Sequence, residues 1–184
     1  MLFSLDCCDR EVMGWLATSG GVSGEMVRDL MTESLEHRFG PAVLSAPHPI
    51  EWLSDNGPCY TARDTCEFAR SVGLLVCTTP TYSPESNGMA ESFVKTFKRD
   101  YVYVNRLPSA IEVVAQLPTW FADYNEIHPH KGLGMRSPRE YLRAVSGLAL
   151  VHGSRVSDRL NADCAGATAA VKGGASRRAQ RVPP

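Results

Sequence analysis

Two acids in this sequence sit where carboxylates can do more than solvate a surface. Asp55 ends the run IEWLSDNG, and Glu91 lies just inside AESFVKTFKRD, with residues 56–90 between them. Carboxylate oxygens are hard donors that suit Mg²⁺ and Mn²⁺, so two acids on separate elements can converge on one such cation. Glu91, Lys95 and Lys98 stand at i, i+4 and i+7, which puts them on one face of a helix, with Arg99 beside them. Lysines on the face of a metal-holding acid suit an anionic, phosphate-bearing substrate. The helix taken alone also reads as a solvated face carrying an ordinary Glu–Lys pair.

The apolar pattern supplies the elements that would position these groups. LFSLDCC and EVMGWLAT, separated by Asp9 and Arg10, predict a β-hairpin. Ser23 is an N-cap for a helix whose inner face is Val27, Leu30, Met31 and Leu35, ending at Gly40. IEWLS predicts a buried strand stopped by Asp55-Asn56-Gly57, so Asp55 falls at its C-terminal end, where α/β proteins commonly place ligands. Thr61 and Asp64 resemble a capping box, opening a second helix with Thr65, Phe68, Ala69 and Val72 inward. LLVCTT predicts a fourth strand. The turn YSPESNG then leads into the helix of Glu91, with Phe93, Val94, Phe97 and Tyr101 inward and Glu85 as a solvated turn residue. Ser109 with Glu112 caps a fourth helix carrying Val113, Val114, Leu117, Trp120, Phe121 and Tyr124, in which Pro118 predicts a kink. Tyr124 and Asn125 are expected to help terminate it, and the His128 and His130 pair reads as a structural turn. The order predicts an α/β domain with a mixed sheet flanked by helices.

Four segments in this order, WLSDNGPCY, SPESNGMAESFVKTFKRDY, YNEIHPHKGLG and RSPREYL, resemble the OrfB-type transposases of bacterial insertion sequences. These are part of the DDE transposase and retroviral-integrase group. The resemblance covers about residues 2–145 and implies a ribonuclease-H-like fold. It also implies Mg²⁺- or Mn²⁺-dependent phosphodiester cleavage and strand transfer on DNA, covering insertion-sequence ends and target DNA. By the motifs, Asp55 and Glu91 would be catalytic metal ligands. Lys95, Lys98 and Arg99 are the candidate DNA contacts. Homo-oligomers, or association with a full-length transposase, would be the expected partnership.

The same resemblance exposes a gap. The family uses three acids, the first on a strand that precedes the hairpin, and only two strands precede the first helix here. The expected sheet therefore lacks the family's first strand, as in an N-terminally truncated integrase-type core that is inactive alone. Asp6 is a possible substitute for the missing acid; Asp9 reads as a turn residue. Residues 146–184 are rich in Gly, Ala, Ser and Arg without periodicity and predict a disordered basic tail after a core of residues 1–145. An alternative function is a non-catalytic DNA-binding or assembly module that modulates an intact transposase; another is a different ribonuclease-H-like nuclease.

Composition limits the choices further. The 184 residues suffice for one domain with a core, at 43% hydrophobic and 21% charged residues. The net charge of −1 counts against a uniformly basic nucleic-acid binder and places weight on the local basic face after Lys95. No apolar run is long enough to span a bilayer. With no signal peptide read at the N-terminus and no C-x-x-C pair, the six cysteines are expected to be reduced thiols of a cytoplasmic protein, with Cys66 and Cys77 as small core residues.

Overall fold

Short, nearly continuous apolar runs build the first two strands, and helical periodicity supplies the layers that cover both of their faces. The computed structural model describes residues 1–79, 88–106, 109–151 and 168–171. Strands β1 (Leu2–Asp6) and β2 (Val12–Leu16) pair antiparallel, with a bulge at the Ser4/Leu5 step that shifts the register from Ser4↔Gly14 to Leu5↔Val12. Helix α1 (Gly24–Phe39) follows, capped as expected by Ser23, whose hydroxyl accepts from Met26 N–H at 3.2 Å. Strand β3 (Ile50–Ser54) pairs parallel with β4 (Leu74–Thr78). Between them stand a short helix α2 (Pro58–Thr61) and α3 (Arg63–Ser71).

Helix α4 (Gly88–Phe97) runs on into a π-helical turn, Lys98–Val102. Helix α5 (Ala110–Glu126) passes through Pro118, with Ser109 accepting from Glu112 N–H at 3.3 Å. Helix α6 (Pro138–Val151) closes the helical part. The expected capping box at Thr61 and Asp64 does not form. Pro58 starts α2 and Ala62 caps α3 without a side-chain bond, while the Thr61 hydroxyl donates back to Gly57 O. A proline preset for the first helical turn begins the helix earlier than the Thr signal does.

The two faces of the sheet carry separate cores. Leu2, Met13 and Trp52 pack with Val27, Leu30, Met31 and Leu35 of α1 and Ala69 of α3. Phe3, Leu5 and Val12 pack with Phe93 and Phe97 of α4 and Leu117, Trp120, Phe121 and Tyr124 of α5. Neighbours in β1 thus enter opposite cores, as the two-residue period of a strand requires. Phe93 is the hub of the second core, with ring centroids 4.6 Å from Phe3 and 5.0 Å from Tyr124.

The centre of the sheet departs from expectation. A fifth strand, β5 (Thr168–Val171), comes from the segment expected to be disordered and gives the sheet order β2-β1-β5-β3-β4. It pairs antiparallel with Ser4–Asp6 and parallel with Glu51–Ser54. Helix α6 likewise continues to Val151, past the boundary expected at residue 145. Without β5, β1 and β3 would each present a row of main-chain donors and acceptors to a gap in mid-sheet. That deficit outweighs the weak local signal of Thr-Ala-Ala-Val.

The cysteines divide. Cys59, Cys66 and Cys77 are free thiols and only partly buried, so Cys66 and Cys77 are not core residues. Cys8 is disulfide-bonded, against the expectation of reduced thiols throughout. It lies half-buried in the β1–β2 turn, and short-range spacing rules such as C-x-x-C do not mark such a bond.

Candidate functional site

Asp55 follows the last residue of β3, and its placement is fixed by its neighbours. Its Oδ1 accepts from Gly57 N–H at 2.9 Å, an Asx-type turn that orients the carboxylate. A Cβ on Gly57 would come within 2.9 Å of that same oxygen, so a side chain there would displace the Asp55 carboxylate. Asn56 ties the ends of the two parallel strands together, its Nδ2 donating to Thr79 O at 2.7 Å while Thr79 N–H donates to Ser54 O at 3.0 Å. The Ser-Asp-Asn-Gly run is thus a rigid strand terminus, and Asp55 is held at the carboxyl edge of the sheet as expected.

Glu91 lies in the first turn of α4, on the opposite side from the buried Ala90, Phe93 and Phe97. It lines an open cleft of ≈ 510 Å³ with Gly88, Ser92, Val94, Lys95 and Lys98. The shared helix face read from the i, i+4, i+7 spacing is therefore present. The α4 N-terminus adds the positive end of a helix dipole beside the acid. Arg99 does not join this face. It begins to wrap round the helix in the π-helical turn and pairs with Asp100, Nε to Oδ1 at 2.5 Å. The turn containing Glu85 lies outside the described residues.

Asp6 and Asp9 serve structural ends. Asp6 Oδ1 accepts from Cys8 N–H at 2.7 Å and its Oδ2 meets Arg38 at 3.1 Å. Asp9, nearly fully buried, accepts from Glu11 N–H at 2.9 Å and pairs with Arg38 Nη1 at 2.9 Å. Burial and the neighbouring Asp6 charge push the Asp9 carboxyl up, against the pull of Arg38. Glu11 completes the group with His37 at 3.2 Å and Arg139 at 3.0 Å. This ion network pins the hairpin to α1 and α6 and engages the Asp6 carboxylate with Arg38.

Among the described residues no group of three or more His, Cys, Asp or Glu gathers in a way that could hold a metal ion. At the register positions of β5, the residues opposite Leu53 and Ser54 are Ala170 and Val171, neither of them an acid. Asp55 and Glu91 are the candidate donors for a hard cation carried over from the motifs. One or two carboxylates, completed by water and substrate phosphate oxygens, is the number that Mg²⁺ commonly takes from a protein, so two carboxylates are by chemistry a donor set that would suit that ion.

His128 and His130 form an aromatic cluster on Tyr124, with centroids 5.2 and 5.0 Å from it, in keeping with a structural turn. Asn125 does not terminate α5 as expected; it is buried and bonds to β2. The sequence reading missed the pairing because no local pattern marks a bond across 113 positions.

Comparison with known proteins adds to this geometry. An integrase core domain family matches residues 1–84, and a second integrase core domain family matches residues 74–138. The chain is 52% identical over 149 residues to the putative transposase InsD for insertion element IS2E of Escherichia coli K12, covering 80% of this chain and 67% of that protein. It is equally similar to the transposase InsD for insertion element IS2A/D/F/H/I/K of Escherichia coli, of which it spans 49%. The fold is shared with the catalytic core domain of BIV integrase, at a TM-score of 0.55 and 20% identity over 78% of this chain and 86% of that one. It is shared too with a chain of the simian T-cell lymphotropic virus intasome in complex with PP2A regulatory subunit B56 gamma. That match has a TM-score of 0.57 and 19% identity, covering 76% of this chain and 47% of that one.

Proposed function

Since this chain belongs to the insertion-element transposases of the retroviral-integrase superfamily and has their ribonuclease-H-like catalytic fold, we propose that it is the catalytic-core portion of an IS2-type transposase, built for metal-dependent cleavage and strand transfer on DNA. The observation that carries this reading is the rigid Asp55 terminus of β3 together with Glu91 on the lysine face of α4.

In this reading Asp55 and Glu91 hold Mg²⁺ or Mn²⁺, and the ion supplies Lewis-acid stabilisation of the charge that develops on phosphate oxygens. The chain's own residues do the rest. The Asx turn at Gly57 keeps the Asp55 carboxylate from rotating away. Lys95 and Lys98 draw the phosphate backbone along the helix face that carries Glu91. Arg99, paired with Asp100, is the weakest of the three proposed DNA contacts. Insertion-sequence ends and target DNA are the proposed substrates. Self-association or pairing with a full-length transposase is the proposed assembly, in the bacterial cytoplasm at the nucleoid. No helix among the described residues is long and apolar enough to cross a membrane.

We also infer that the chain is inactive alone. The strand beside β3 offers Ala170 and Val171 at the positions opposite Leu53 and Ser54, so no acid from that strand adjoins Asp55 at these positions. The same feature favours a second reading, in which the chain is a non-catalytic module that binds DNA or modulates an intact transposase.

The test uses the purified full chain, DNA carrying insertion-sequence ends, and Mn²⁺. Weak Mn²⁺ binding that disappears in Asp55→Ala and Glu91→Ala supports the two-carboxylate site. Equal Mn²⁺ affinity in all three proteins refutes it. Efficient cleavage by the unaltered chain would refute the inactivity, and salt-sensitive DNA binding without cleavage is the expected result.

A further inference from the structure

A second cleft opens on the neighbouring side of α4. It has a volume of ≈ 540 Å³ and lies between the β1–β2 turn, α4 and the segment after α5, with Arg10, Ser92, Arg99, His128, His130 and Lys131 among its lining. Ser92 also lines the Glu91 cleft, so the two adjoin. Among the described residues no carboxylate lines this second cleft. Arg99 has its charge met by Asp100 at 2.5 Å, and Asp100 Oδ2 stands 3.9 Å from His128 Nε2. Neither Arg10 nor Lys131 has a carboxylate at ion-pair distance among the described residues; the Arg10 guanidinium instead rests on the Met89 thioether.

Two further features mark the cleft as built for a ligand. Arg10 stands at φ 67°, in the left-handed region that suits glycine and strains a residue with a Cβ. The turn is closed by main-chain bonds from Arg10 N–H to Asp6 O at 3.0 Å and from Asp6 N–H to Glu11 O at 2.9 Å, neither of which calls for an arginine side chain. His130 Nε2 is buried with no hydrogen-bond partner among the described residues. Burial, helped by His128 and Arg10, depresses His130 to about 4, so at neutral pH its imidazole carries one N–H that can be offered to an acceptor. Two unmatched cations and an unsatisfied imidazole converge on the same space. A phosphate oxyanion meets all three needs, because guanidinium matches its geometry and ammonium adds a point charge.

We propose that Arg10, His130 and Lys131 form a phosphate-binding subsite, which takes a backbone phosphate of the DNA strand lying along Lys95 and Lys98. The DNA source rests on the function proposed above; the phosphate chemistry does not.

The test uses the full chain, Arg10→Gly, Lys131→Ala and, as a reference on the other cleft, Lys95→Ala. Arg10→Gly suits the turn conformation, so its thermal midpoint is expected to stay level or rise, which separates lost binding from lost folding. Binding to a short DNA duplex is followed by fluorescence anisotropy across a salt series. Arg10→Gly and Lys131→Ala are each expected to weaken binding several-fold and to lower the slope of log affinity against log salt by about 0.9. In parallel, inorganic pyrophosphate is titrated while the His130 ring signals are followed by NMR; a saturable shift lost in Arg10→Gly is expected.

If Lys95→Ala weakens DNA binding but Arg10→Gly and Lys131→Ala do not, and pyrophosphate leaves His130 unmoved, the subsite is refuted and the DNA reading stands. If no duplex binds but pyrophosphate shifts His130 in an Arg10-dependent way, the phosphate site stands and the DNA source is refuted.

Discussion

Asn125 on α5 acts as a strand partner for Val12 on β2. Its Oδ1 accepts from Val12 N–H at 2.9 Å and its Nδ2 donates to Val12 O at 2.9 Å, both buried. β2 is an edge strand of the sheet, and one carboxamide supplies the donor and the acceptor that a further strand would have offered there. The two bonds also couple the helix below the aromatic core to the hairpin that carries Arg10.

Asn125→Ala leaves both main-chain groups of Val12 buried and unmet. The expected loss is about 2–6 kcal/mol, at about 1–3 kcal/mol for each of the two unsatisfied groups. Urea denaturation checks it. A loss below roughly 0.5 kcal/mol would mean that water or a shifted strand satisfies Val12 instead.

Strand β5 is expected to be required for the stability of the whole core. Ala170→Pro removes a main-chain donor from a strand with neighbours on both sides, a change that sheets tolerate at edges and not at centres. The expected cost is about 3 kcal/mol or more. Deleting residues 152–184 should do at least as much and promote association through the opened edges of β1 and β3. Thermal melting and gel filtration report on both. An unchanged midpoint and an unchanged elution volume in both variants would show that the sheet does not need this strand.

The ion network of the hairpin makes a pH-dependent contribution through Glu11. Burial pushes its carboxyl up, but hydrogen bonds from His37 and Arg139 and the Arg38 charge outweigh this and bring it down to about 2. An unfolded glutamate titrates near ~4.3. Glu11 therefore contributes stability that is fully present above that value and is lost as pH falls through it toward 2. Glu11→Gln is expected to cost roughly 3 kcal/mol at pH 7, as for breaking a buried pair. The difference between the two proteins should be constant above about pH 5 and shrink steadily below about pH 4.3. Denaturation at several pH values measures this difference, and a gap that stays constant down to pH 3 would remove Glu11 from the acid response.

Much of the molecule was legible without coordinates, because the signals involved are local. Ser23 and Ser109 cap their helices through hydroxyls that need only the next three residues. The face shared by Glu91, Lys95 and Lys98 follows from helical period alone, and the Asp-Asn-Gly stop fixes Asp55 at the end of β3. Where local signals competed, the reading failed by a few residues, as at α2, where Pro58 prevailed over Thr61.

What only the tertiary structure decided is the pairing of residues far apart in the chain. Val12 with Asn125, Glu11 with Arg139, and Ser4 with Val171 are brought together by buried polar groups that must find partners wherever the chain can provide them. A run as plain as Thr-Ala-Ala-Val carries almost no strand signal by itself. It becomes a central strand because two neighbours already present unpaired main chain, and that demand arises only once the rest of the sheet exists.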